Sequence, residues 1–121
     1  MSKEKTIVDP FTFEDPDTDT AYTLEFDLAS VKFADLRGFV VGEVQSFPAS
    51  KILDLWFFAF RKNHQKMTRA QTDKLYNECL GGLTAEELVQ IIQLYNNPIN
   101  GLIRNDGDGA ENPIRKAKII S

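Results

Sequence analysis

The run Ile52-Leu53-Asp54-Leu55-Trp56-Phe57-Phe58-Ala59-Phe60 is apolar at eight of nine positions. An ordinary surface helix hides one stripe. A segment apolar on nearly all sides has to be covered on nearly all sides, by its own core or by a partner. This run therefore belongs at the centre of the fold. Pro48 lies just ahead of it and pre-sets the backbone for a first helical turn. Arg61-Lys62-Asn63-His64 follows it. The spacing predicts a helix of about four turns with cations at the C-terminal end, where the helix dipole favours them.

A chain of 121 residues supplies one such core. Two would leave about 60 residues each, marginal without disulfides or metal. Cys79 is the only cysteine, so no internal disulfide forms and a reducing compartment is expected. No window approaches the roughly 18 consecutive apolar residues of a membrane span, and MSKEKTIVDP lacks the apolar stretch of a signal peptide. No membrane association and a cytoplasmic location are expected. A net charge of −4 argues against a general grip on nucleic acid. That charge is uneven. Residues 9–27 hold Asp9, Glu14, Asp15, Asp17, Asp19, Glu25 and Asp27 and no lysine or arginine. Residues 51–74 hold Lys51, Arg61, Lys62, Lys66, Arg69 and Lys74 against Asp54 and Asp73. Such a molecule can attract a copy of itself or a polar partner; two solvated faces are the plainer reading.

Ahead of the central helix, Phe11-Thr12-Phe13 and Tyr22-Thr23-Leu24-Glu25-Phe26 alternate large apolar and polar residues, the period of strands with one wet face. The polar EDPDTDTA between them makes a hairpin, which needs helices beneath it to be stable. Asp27 is placed to cap a short helix through about Leu36, with Gly38 as its left-handed stop. FVVGEVQSF, residues 39–47, fits a loop or a short third strand. Thr68-Arg69-Ala70-Gln71 and Thr84-Ala85-Glu86-Glu87 are capping boxes. The first opens a helix with Thr72, Leu75, Tyr76, Cys79 and Leu80 on one stripe, closed by Gly81-Gly82. The second opens a helix with Leu88, Ile91, Ile92 and Tyr95 inward; Asn97-Pro98 stops or kinks it. The fold class expected is α+β: a loose lead-in over 1–10, a domain over 11–103 with an N-terminal β-hairpin on about four helices, and a flexible polar tail over 104–121.

No reactive constellation emerges. Asp15-x-Asp17-x-Asp19 opens like a calcium loop, but Thr20 stands where the sharp turn needs Gly and Phe26 where a bidentate Glu should close the site. No metal or cofactor is expected. Cys79 shares an apolar stripe with Leu75 and Leu80, where a thiol behaves as a small hydrophobe and its pKa rises. His64, the sole histidine, completes no triad spacing, and the glycines match no phosphate loop. Nine Phe, three Tyr and one Trp are more aromatic surface than a small domain hides with ease. Some of Trp56, Phe57, Phe58 and Phe60 are therefore expected to reach the surface; a groove for an apolar helix is the functional reading, and plain core packing is the equally ready alternative. The groove expected is Phe57 and Phe60 with Ile91 and Tyr95, rimmed by Arg61, Lys62 and Lys66.

The order of these elements resembles a known family. A hairpin reading F-T-F…Y-T-L-E-F-D comes first, then a short helix ending at Arg37-Gly38-Phe39. An aromatic helix ending FFAFRKNHQKMT, an acid-capped helix ending LYNNPINGL and a polar tail follow. Over residues 11–103 this resembles the tail assembly chaperones of long-tailed phages of Gram-positive bacteria. The hairpin departs from the pattern: family members often carry a tight Gly-Lys or Asn-Gly turn, where this chain has DPDTDT. The resemblance implies a non-enzymatic protein of the host cytoplasm, absent from the mature virion. It implies binding to the tape measure protein, whose helical apolar faces it keeps soluble while tail tube protein polymerises. A longer frameshifted form in many members is thought to recruit tube protein. Self-association is expected as well. The alternative is another phage or bacterial adaptor acting on a host protein.

Overall fold

A computed structural model describes residues 8–102. Most of the expected lead-in over 1–10 and the tail expected over 104–121 lie outside the described residues. Strands β1 (Phe11–Asp15) and β2 (Thr20–Leu24) form the antiparallel hairpin. Phe11 pairs with Leu24 and Phe13 with Tyr22, so the large side chains of both strands share the inner face. The strands reach further into the acidic segment than the alternation predicts, leaving the short turn Pro16–Asp19. Phe26, expected at the end of the second strand, lies past it, because the chain leaves the sheet at Glu25 to deliver Asp27 to a helix cap.

Helix α1 (Leu28–Leu36) starts on a reciprocal box: the Ser30 N–H donates to Asp27 Oδ1 and the Asp27 N–H to Ser30 Oγ, both at 2.8 Å. Its end is a Schellman motif. Gly38 takes φ 84°, and the Phe39 N–H donates back to the Ala34 carbonyl. FVVGEVQSF is neither a strand nor a plain loop: it contains a 3₁₀ turn, Val41–Val44, anchored by buried Val44. Helix α2 (Pro48–Ala59) follows with Pro48 in its first turn, as expected. It is about a turn shorter than predicted, and its last turn holds no cation. Arg61 to His64 form turns of their own that reach for the hairpin: Asn63 Nδ2 donates to the Thr23 carbonyl at 3.1 Å, and His64 Nε2 accepts from the Thr23 N–H at 3.1 Å.

Helix α3 (Arg69–Lys74) continues without a break into a π-helical segment, Leu75–Leu80, closed by Gly81 and Gly82 at positive φ. Both Thr capping boxes form. Helix α4 (Ala85–Asn100) runs through Pro98 without stopping there, although proline supplies no N–H to the carbonyl four residues back.

The core is organised around α2. Trp56 and Phe60, four residues apart, face the hairpin: Trp56 lies 5.6 Å from the Phe13 ring centre and 5.2 Å from that of Phe60. Phe58 faces the other way, to Phe33 and Phe39, and Phe39 continues to Tyr95 and Phe26. The central helix is thus covered on two opposed sides by different elements, which is what its nearly continuous apolar run requires. Among the described residues, no helix is long and apolar enough to cross a membrane.

Candidate protein-binding surface

The predicted groove is divided by the core. Phe60 is 1% exposed, Ile91 0% and Tyr95 2%, so in this fold these three meet no partner. Burial, with the Asp35 carboxylate added, pushes the Tyr95 hydroxyl up to about 12. Alternation and helical stripes locate an apolar face, but they do not separate a face that meets the core from one that meets a client. Here α4 spends its whole inward stripe on α1, α2 and β1.

Of the other predicted residues, Phe57 and Arg61 meet around a different ring, whereas Lys62 and Lys66 do not. Phe57 and Arg61 line a hollow of about 20 Å³ with Phe33, His64, Gln65 and Met67, and the buried Phe60 contributes to its floor. Phe33 holds the guanidinium of Arg37 at 3.6 Å and that of Arg61 at 3.9 Å from its ring centre. Lys62 turns instead to the Glu25 carboxylate at 3.0 Å, while Lys66 stays in solvent. The hydrogen bond from Asn63, then that from Lys62, holds Glu25 below the usual carboxylate range.

A larger groove, of about 390 Å³, opens between the hairpin turn and the π-helical segment. Asp15, Asp17 and Glu78 supply carboxylates, Lys74 a cation, and Tyr22, Met67 and Leu75 an apolar floor. π-helical turns often occur at functional sites. No sequence signal marked this one, because π and α turns share a hydrophobic stripe. Cys79 lines the groove, its thiol 4.0 Å from the Glu14 carbonyl. Burial, then the charges of Asp15 and Asp17, pushes that thiol up, away from the thiolate a nucleophile needs. His64 is engaged elsewhere, at Thr23 and between the Tyr22 and Phe60 rings. Among the described residues, no three His, Cys, Asp or Glu side chains are grouped to hold a metal ion.

What the sequence reading missed is the apolar surface ahead of α2. Twelve of the thirteen aromatic residues take part in ring–ring contacts; Phe47 does not, and is 58% exposed. Leu28, Leu36 and Val40 in the same stretch of chain are exposed too, Leu36 by 77%. Leu28 and Leu36 flank Lys32 at i, i+4, i+8 spacing, one outward stripe of α1. The signal was present in the sequence: α1 carries apolar residues on more of its circumference than one core-facing stripe requires.

No curated protein and no solved structure matches the chain. A family model does, over residues 1–119, and with nearly the whole chain inside that match the protein belongs to the family described as "Domain of unknown function (DUF5055)".

Proposed function

We propose that this protein is a tail assembly chaperone of a long-tailed phage: a non-enzymatic module that binds the helical tape measure protein in the bacterial cytoplasm and holds it soluble during tube polymerisation. The observation that carries the reading is the exposed apolar stretch Leu28, Leu36, Val40 and Phe47 on a small acidic domain. Scattered surface leucines need no explanation. Four large apolar side chains from one stretch of twenty residues, one of them the sole aromatic outside the ring network, are suited to the apolar face of a client helix. The expected groove accordingly moves from Phe60, Ile91 and Tyr95 to the outer face of α1 and the segment leading into α2, with Phe57 at the neighbouring hollow.

The test is co-expression with fragments of the tape measure protein from the same phage. The wild-type chain is expected to raise the soluble yield of at least one fragment. Leu36→Glu and Phe47→Glu, which leave the core intact, are expected to abolish that gain while the circular dichroism spectrum stays unchanged. A wild-type chain that leaves every fragment insoluble would sink the proposal.

A further inference from the structure

The cations around Phe33 are not among the four exposed apolar side chains that carry the client reading. The distances of Arg37 and Arg61 from that ring centre bound the separation of their charges at 7.5 Å. Lys51, Lys62 and Arg69 each pair with a carboxylate, whereas neither Arg37 nor Arg61 does among the described residues. Arg37 Nη1 donates only to the Phe33 carbonyl of its own helix, at 3.3 Å. The ring face favours each cation without neutralising it. Two guanidiniums so close, with donors to spare, suit a carboxylate or a pair of carboxylates, which arginine binds through parallel N–H donors.

The complementary group is on the same chain. The hairpin turn presents Glu14, Asp15, Asp17 and Asp19, none of which is ion-paired among the described residues. Its shape is fixed. The Asp17 N–H donates to Asp15 Oδ1 at 3.0 Å, the Thr18 N–H to the Asp15 carbonyl at 3.3 Å, and Asp19 sits in the left-handed region at φ 58°. A preorganised acidic turn loses little freedom on docking. Within one molecule the turn and the clamp form no ion pair with each other. We infer that the Arg37–Phe33–Arg61 clamp is a docking site for the Asp15–Asp19 turn of a second copy of this chain.

The experiment is sedimentation velocity on the full chain at low and high salt. The wild-type protein associates at 50 mM salt, and its apparent Kd rises about tenfold or more at 500 mM, as a charge-driven contact requires. Arg37→Gln/Arg61→Gln keeps the turn and loses the clamp. Asp15→Asn/Asp17→Asn/Asp19→Asn keeps the clamp and, because Asn preserves the turn's hydrogen bonding, its shape. Each variant alone is monomeric, and an equimolar mixture forms a 1:1 complex and nothing larger. Should the glutamine pair melt early, Arg37→Lys/Arg61→Lys retains the charge but lacks the planar fork, and association weakens several-fold. A monomeric wild-type chain, salt-insensitive association, or variants that associate alone as the wild type does would each overturn the inference. The acidic-turn variant alters neither Leu28, Leu36, Val40 and Phe47 nor the hollow of Phe57, so client binding measured on that variant separates failure here from failure of the proposed function.

Discussion

At the scale of single residues, Trp56 is the most informative. It is 1% exposed, meets Phe11, Phe13, Phe60 and Tyr76, and donates its indole N–H to the Thr72 carbonyl at 2.8 Å. That bond joins α2 to α3 just ahead of the π-helical segment. Trp56→Phe keeps most of the apolar contact and removes the donor. It is expected to cost about 1–3 kcal/mol in urea unfolding, with the m-value unchanged. A loss below about 0.5 kcal/mol would mean that the indole N–H contributes little. Much of this residue's role was legible, since a tryptophan inside an apolar run has to be covered. Its partner was not: a contact sixteen positions away leaves no periodic trace. For the same reason Phe60, Ile91 and Tyr95 looked available. Each sits on a stripe that reads as apolar, and only the packing of α4 and the hairpin decides that the stripe is used up.

At the scale of elements, the chain announces where helices start more clearly than how they end. Asp27, Thr68 and Thr84 all cap as the spacing predicts, because a cap depends on side-chain oxygens two or three positions from the N–H groups they satisfy. Thr84→Ala is expected to destabilise the fold by about 1 kcal/mol, and Thr84→Asn to leave it nearly unchanged, as read from denaturation midpoints. Some ends are local, as at Gly38, and others are set by distant partners. Helix α2 stops early because Asn63 and His64 leave to bond Thr23, and α3 widens into a π segment before Gly81 and Gly82 close it. Gly82 sits at φ 99°, where an alanine is strained even though there is space for its methyl. Gly82→Ala is therefore expected to lower stability by more than about 1 kcal/mol, whereas Gly42→Ala, at an ordinary backbone angle, should be close to neutral.

At the scale of the molecule, the hairpin packs on α2 through its aromatic inner face, and at its end Glu25 adds an ion pair with Lys62 while Asp27 caps α1. Glu25 is held down by Asn63 and Lys62. At Asp27, burial works upward, but the backbone and hydroxyl hydrogen bonds of Ser30 outweigh it. Both folded-state values lie below the unfolded ones, so their contribution is complete above about pH 5 and fades as pH falls through the folded values. The urea midpoint is expected to drop between about pH 5 and pH 3, and Glu25→Gln/Asp27→Asn to flatten that drop. An equally steep acid transition in the double variant would assign it to other carboxylates. The α+β plan was legible because alternation and caps are local. The site was legible only in part: Phe57 and Arg61 line one hollow with Phe33, and Arg37 meets that ring from the end of the ring's own helix. The side-chain bonds to Thr23 have one more result. Its N–H and C=O both go to Asn63 and His64, so they point away from β1 and would otherwise be free to recruit a foreign strand. At Thr23, therefore, the outer edge of β2 is closed to an incoming strand, a useful safeguard for a protein crowded with phenylalanine.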